Sequence, residues 1–218
     1  MEKFFSNGEY RLKKFVLGQL KTNCYLIIDK NDDCAIVDPG ACDPALTEWI
    51  RANGVSPRFV LLTHGHFDHV LGLKQFLNLP AYIHEFDKEM LDSRHKNSAN
   101  FFNQDVEYNE DNLITFSDGF KIPFGSDFFT AIHTPGHTKG STTYLLSDQA
   151  LFTGDAIFAG TVGRYDLFGG SEEKTKQTVQ KIANLSGNYS IYPGHGRPTC
   201  LEDEKKTNQY FLKWQNIS

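Results

Sequence analysis

Phe59-Val60-Leu61-Leu62-Thr63-His64-Gly65-His66-Phe67-Asp68-His69-Val70-Leu71-Gly72-Leu73-Lys74-Gln75-Phe76-Leu77 holds an apolar run, a dense group of metal-capable side chains, and then helical spacing. Phe59–Leu62 reads as a buried strand, and Val70–Leu77 as a helix. The cluster therefore stands where a strand ends and a helix begins. On nearly extended backbone, residues i and i+2 project to the same side, so His64 and His66 are placed to grip one ion. Asp68 and His69 follow the turn and can face a second ion beside it. Imidazole nitrogen and carboxylate oxygen suit zinc, iron or manganese. The alternative is a surface loop that happens to be His-rich, but this spacing is far more specific than a lone His pair.

A site for two ions needs more donors than this run holds, and one of them able to bridge. His137 lies in Thr134-Pro135-Gly136-His137-Thr138, between two strand-like segments. Asp155 ends the short apolar run Leu151-Phe152-Thr153-Gly154-Asp155, and His195 follows Ile191-Tyr192-Pro193-Gly194. Each sits on a glycine-containing turn, where backbone can approach an ion closely. A carboxylate can bridge two cations, which makes Asp155 the natural bridge. Singly, each is an ordinary loop residue; in this order after the first cluster, they form a set.

Composition narrows the class. The chain has 218 residues, a formal net charge of −5 and 39% hydrophobic residues. That is the size of one domain with a proper core, here residues 1–218. The acidic balance argues against a nucleic-acid enzyme, which carries a basic face. No segment approaches the roughly 20 apolar residues that span a membrane, and the N-terminus has no signal-peptide apolar block. Cys24, Cys34, Cys42 and Cys200 lack metal-like spacing and read as reduced thiols in a cytoplasmic protein. The 18 phenylalanines read as core rather than as a substrate box.

Periodicity gives mixed α/β structure. Strands are expected at Arg11–Val16, Asn23–Ile28, Cys34–Val37, Arg58–Leu62, Ala81–Ile83, Phe120–Ile122, Asp127–His133, Thr142–Leu146, Ala150–Phe152 and Ile191–Tyr192. Helices are expected at Pro44–Ala52, capped by Asp43, and at Val70–Leu77, Glu85–Leu91, Glu172–Leu185 and Leu201–Trp214.

The order His64-x-His66-x-Asp68-His69, then His137, Asp155 and His195, resembles the metallo-β-lactamase superfamily, and more narrowly its short glyoxalase II-like (hydroxyacylglutathione hydrolase-like) members. The likeness runs from about Asn23 to Arg197. It takes in Ile36-Val37-Asp38-Pro39-Gly40, Gly163-Arg164-Tyr165-Asp166-Leu167 and Pro193-Gly194-His195-Gly196. It implies a four-layer αββα sandwich. It also implies two divalent metal ions, zinc first among zinc, iron and manganese. His64, His66 and His137 would hold one ion; Asp68, His69 and His195 the other; Asp155 would bridge them. Asp38 matches the superfamily's first acidic motif, with a role in holding ligands in place. A plain turn aspartate before Pro-Gly reads equally well there. True β-lactamases of the superfamily lack the bridging carboxylate, so Asp155 argues against that activity.

The chemistry implied is hydrolysis of a small thioester by a metal-bridging hydroxide. Metal-bound water has its pKa lowered to roughly 7, and an adjacent cation stabilises the carbonyl oxygen as it gains charge. Asp68 would bind metal and orient the nucleophile. A thiolate leaving group, with a pKa near about 8.5, needs no separate general acid. Two alternatives keep the fold. One is a persulfide dioxygenase, which has a single iron on the first ligand set and shares the Thr-Pro-Gly-His-Thr and Gly-Arg-x-Asp elements. The other is a lactone hydrolase. A non-catalytic scaffold is disfavoured, because no ligand is missing.

The substrate side is less settled by the residues. Full-length glyoxalase II has a helical C-terminal domain that supplies basic residues for the glutathione carboxylate; no such domain is expected here. The family's loop lysine and tyrosine are replaced by Arg164 and Asp166. Arg164 and Tyr165 are the expected substrate contacts, with Arg164 binding a carboxylate; a structural Arg164–Asp166 ion pair is the competing reading. The polar stretch Ser93–Asn112, with Phe101, Phe102 and Tyr108, is either a pocket wall or a surface excursion. Lys139 reads as solvated.

Overall fold

Apolar residues of alternating parity in the strands sort themselves onto two faces, and this parity sets the layers. The computed structural model describes residues 9–147 and 149–214, with the backbone of residues 3–5. In the first half, β1 (Lys3–Phe5), β2 (Tyr10–Leu17), β3 (Thr22–Ile28), β4 (Asp33–Val37), β5 (Ser56–Leu61), β6 (Ala81–His84) and β7 (Leu113–Phe116) form one sheet in chain order. β1 to β4 run antiparallel, and β4 to β7 are parallel. The second half supplies β8 (Lys121–Phe124), β9 (Asp127–His133), β10 (Thr142–Leu146), β11 (Ala150–Gly154), β12 (Ile157–Phe158), β13 (Thr161–Val162), β14 (Ser190–Pro193) and β15 (Thr199–Cys200). The second sheet has the order β15-β14-β11-β10-β9-β8, and β12 pairs with β13 in a small ribbon. Helices α1 (Pro44–Ala52), α2 (Phe67–Val70), α3 (Lys88–Leu91), α4 (Glu172–Ala183), α5 (Leu201–Thr207) and α6 (Gln209–Trp214) complete the chain.

Tyr25, Ile27, Ala35, Val37, Phe59 and Leu61 of the first sheet share one buried cluster with Phe129, Tyr144, Phe152 and Tyr192 of the second. The residues of opposite parity, Leu26, Ile28, Cys34, Ile36, Val60 and Leu62, form a second cluster with Leu46 and Ile50 of α1. Leu151 and Ile191 face a third, with Val179 and Ile182 of α4, Leu201 of α5 and Phe211 and Trp214 of α6. The molecule is therefore the expected αββα sandwich, with an aromatic-rich cluster between the sheets. Each such buried side chain contributes roughly 1.5–3 kcal/mol.

The inter-sheet tyrosines also aim the site. Tyr144 donates its hydroxyl hydrogen to Leu62 O (2.9 Å), and Tyr25 donates to Pro193 O (2.8 Å). Those carbonyls directly precede the Thr63-His64 and Gly194-His195 turns. A buried phenol must find an acceptor, so each tyrosine pins a ligand-bearing strand end from inside the core.

The expected Asp43 cap is observed, its carboxylate accepting Ala45 N–H at 2.9 Å. Three expected helices are corrected, one of them Glu85–Leu91, which is a 3-10 turn over Glu85–Asp87 followed by α3. The helix placed at Val70–Leu77 begins earlier, as α2, and continues as a 3-10 turn over Leu71–Gln75. There Gly72 N–H is drawn to Pro39 O at 2.6 Å by the docked Asp38-Pro39-Gly40 turn. The single helix at Leu201–Trp214 is two, broken at Asn208, whose backbone is extended and whose side chain donates to Glu204 Oε2 and Thr161 O. β7 was not expected: half its residues are only partly buried, so alternation is weak. All four cysteines are free thiols. Among the described residues, no helix is long and apolar enough to cross a membrane.

Candidate metal centre

Strand ends deliver the donors to one point. β5 leads into His64 and His66; the first turn of α2 carries Asp68 and His69; β11 leads into Asp155; β14 leads to His195; the β9–β10 connection carries His137. Backbone bonds stitch these turns together: Thr142 N–H to Thr63 O (2.8 Å), Gly194 N–H to Gly154 O (2.8 Å) and Asn23 N–H to Gly194 O (2.7 Å). All seven expected donors converge. His64, His66 and His137 form one group that could hold an ion, and Asp68, His69 and His195 another. His64, His69 and Asp155 form a third, overlapping group; within each group the donor atoms lie within 4.8 Å of one another.

Asp155 sits between the first two groups. Its Oδ1 is 3.3 Å from His69 Nε2, and its Oδ2 is 3.6 Å from both His137 Nε2 and His195 Nε2. Asp68 Oδ2 is 3.3 Å from His195 Nε2 and 3.6 Å from His69 Nε2.

The residues fit divalent metal. His64 Nε2, His69 Nε2 and Asp155 Oδ1 are buried and make no hydrogen bond, an arrangement that costs free energy unless a further partner arrives. His66 Nδ1 faces His137 Nε2 at 2.8 Å, two ring nitrogens nose to nose. His137 Nδ1 sits 2.6 Å from Arg164 O and donates to it, which directs the Nε2 lone pair inward. Burial, then the neighbouring His137, pushes His66 down to about 3. His64 is also lowered, by burial and by the imidazoles around it. Both present neutral nitrogens, as metal ligands must. Burial opposes charge on His69, but Asp68, Asp155 and Asp38 outweigh it and raise this group. Burial likewise opposes the Asp68 carboxylate, and His69, His195 and the Thr22 hydroxyl overcome it, holding Asp68 well below the usual carboxylate range.

Supporting contacts orient these donors. Asp38 accepts Thr63 N–H (2.8 Å) and Thr63 Oγ1–H (2.6 Å), and its Oδ2 is 2.9 Å from His69 Nδ1. Asp38 thus contacts both the Thr63 turn and the His69 ring. Thr22 donates to Asp68 Oδ2 (2.8 Å), and Asn23 donates to Pro193 O and Gly196 O. Sequence reasoning missed Thr22 and Asn23. They lie at the start of β3, remote in sequence from what they support, and only strand pairing brings them there.

The loop carrying Arg164 and Tyr165 adjoins the centre at His137. Arg164 makes a bidentate pair with Asp166 (2.7 and 2.9 Å), both exposed. Tyr165 packs against the helical cluster of the second half. A cavity of about 390 Å³ reaches Asp68, lined among others by Leu20, Cys42, Phe67, Lys74, Phe102 and Gln104. The Ser93–Asn112 stretch supplies Phe102, which stacks on Phe67 (centroids 4.6 Å apart), and is anchored by Phe67 N–H to Asn97 O (3.0 Å). A larger cavity, about 830 Å³, lies behind the His137 turn, lined by Lys139, Ser171, Lys174 and Lys181. None of the seven donors lines it, whereas Asp68 lines the smaller one.

Comparison with known proteins gives a consistent picture. The sequence profile of the metallo-beta-lactamase superfamily matches residues 17–195. Hydroxyacylglutathione hydrolase GloC of Haemophilus influenzae is 32% identical over 201 residues, spanning 86% of this chain and 92% of that protein. Among solved structures, the BLEG-1 B3 metallo-beta-lactamase superposes with a TM-score of 0.83 at 29% identity, covering 92% of this chain and 99% of that one. TTHA1623 in a di-iron-bound form superposes with a TM-score of 0.80 at 30% identity, covering 91% and 99%.

Proposed function

Because the chain belongs to the metallo-β-lactamase superfamily, we propose that it is a hydrolase dependent on two divalent metal ions, acting on a small thioester such as an S-2-hydroxyacylglutathione. The observation that carries this is the division of the Asp155 carboxylate, one oxygen toward His69 and the other toward His137 and His195. A carboxylate so placed can serve two ions at once. On this reading His64, His66 and His137 would hold one ion, Asp68, His69 and His195 would hold the other, and Asp155 would serve both. The name of the Haemophilus relative supports the substrate class. The donor set suits zinc and iron alike.

When bound, two such ions supply a nucleophile from water at neutral pH and positive charge for the carbonyl oxygen. The chain's own residues do the rest. Asp68, held ionised by His69, His195 and Thr22, is a poor proton acceptor and a good hydrogen-bond acceptor; it orients water. The cleft beside it, walled by Phe67 and Phe102, receives an arm of the substrate and shields the reacting carbonyl from bulk solvent. A thiolate leaves without a separate acid, since its conjugate acid has a pKa of about 8.5.

The test is loss of thioester absorbance with S-D-lactoylglutathione, using protein of measured metal content and His66→Ala as control. Turnover that depends on His66, with two metals per chain, supports the proposal. A chromogenic cephalosporin turned over in place of the thioester would move the activity to β-lactams. Oxygen uptake on a persulfide by protein holding a single iron would move it to oxidation.

A further inference from the structure

Asp87 belongs to neither group of donors, yet it is completely buried between the two turns that carry the first group. Its Oδ2 accepts Gly65 N–H at 3.0 Å and Thr138 Oγ1–H at 2.7 Å, and its Oδ1 accepts Gly140 N–H at 2.6 Å. Gly65 separates His64 from His66, and Thr138 follows His137. We infer that Asp87 is a positioning residue that clamps the His64–His66 turn to the His137 turn and so sets the spacing of the first ion's three imidazoles. The inference rests on the two-ion reading above.

Three features support it. A buried carboxylate among neutral partners is costly, and an apolar filler would leave three donors unmet. There is no slack in the clamp. A Cβ on Gly140 would stand 2.7 Å from Asp87 Cγ, and one on Gly65 would stand 2.7 Å from Met90 Cβ. And the contacts are selective: Asp68, His69 and His195 make no hydrogen bond to Asp87. The bond from Thr142 N–H to Thr63 O joins the same two segments independently, so loss of Asp87 loosens the turns without separating them.

Asp87→Asn is the informative variant. It keeps the shape, but in either amide orientation one NH2 group confronts a backbone N–H, of Gly65 or of Gly140. The experiment is zinc titration of the full chain against a chromophoric chelator, with circular dichroism as the folding control and amide hydrogen exchange at Gly65 and Gly140. The variant is expected to fold, to exchange those two amides faster, and to bind one of its two ions at least about tenfold more weakly. In a His137→Ala background, where the first group is already broken, Asp87→Asn is expected to leave the remaining ion unchanged. Retention of both ions at wild-type affinity, equal weakening of both, or further loss in the His137→Ala background overturns the inference. Wild-type protein that binds fewer than two zinc ions overturns the two-ion reading itself, and the inference with it.

Discussion

His69 Nδ1 lies 2.9 Å from Asp38 Oδ2, and the same carboxylate oxygen accepts the Thr63 hydroxyl at 2.6 Å. Asp38 holds this position with φ at +50°, a left-handed conformation that aspartate and asparagine tolerate better than most residues. One side chain therefore ties the end of β4 to the start of the His64 turn and fixes which nitrogen of His69 points inward. Asp38→Asn keeps the turn but removes the charge facing His69. Metal affinity is expected to fall about 10–100-fold with little loss of fold. Asp38→Ala strands the Thr63 N–H and hydroxyl as well, costing about 2–4 kcal/mol more. Urea titration of the metal-free proteins separates the two effects; equal metal affinity in wild type and Asp38→Asn would refute the role.

Metal removal should lower thermal stability. Unpaired donors such as His64 Nε2 and His69 Nε2 are buried together in the folded chain and dispersed in the unfolded one. An ion at a hundredfold excess over its Kd adds about 2.7 kcal/mol. At about 2–4 °C per kcal/mol for a chain of this size, chelation is expected to lower Tm by roughly 5–10 °C. A melting curve indifferent to chelator and to added zinc would rule out the centre as a metal site.

Gly194 lies against the Asp155 carboxylate. A Cβ there would stand 2.3 Å from Asp155 Oδ1 and 2.7 Å from His69 Cε1. Gly194→Ala is expected to displace the carboxylate and cut metal affinity by at least about tenfold. Gly196→Ala is the control: nothing lies near its Cβ, and its φ of +77° predicts only a strain cost of about 1–2 kcal/mol. Metal titration of the two variants should separate them, and matching affinities would remove the steric argument.

His84 gives the stability curve a pH dependence away from the centre. Burial, then the stacked His133 ring (centroids 4.2 Å apart), lowers His84 to about 4. Below its unfolded value of about 6.5, the unfolded chain takes up a proton that the folded chain refuses. Its contribution is therefore complete above that value and is lost as pH falls from there toward 4. The loss is on the order of 1 kcal/mol, since part of the group's surroundings is solvent-screened. His84→Asn retains a cap for Phe86 N–H and removes the titration. Between neutral and mildly acid pH the urea midpoint of wild type is expected to fall further than that of His84→Asn, and equal falls would overturn the assignment.

Much of this molecule is written locally. The donor types and their i, i+2 spacing before an apolar helix mark the centre, because ligand identity is a property of single side chains and strand parity is a property of neighbours. Tyr25, Leu26, Ile27 and Ile28 are apolar throughout and mark a buried strand, but only the packed layers decide that Tyr25 and Ile27 face the other sheet while Leu26 and Ile28 share a cluster with α1. Asp43 announces its own helix. Tertiary structure decided what depends on partners distant in sequence. Thr22 reaches Asp68, and Asp87 reaches Gly140, only because two sheets stack and bring their loops to one edge. Arg164 had two chemically equal partners in prospect, a substrate carboxylate or Asp166; in the structure its guanidinium pairs with Asp166, and Tyr165 packs toward the helices. Local patterns determine the donors, while the clamps that space them form across long loops, where only the closed fold supplies the contact.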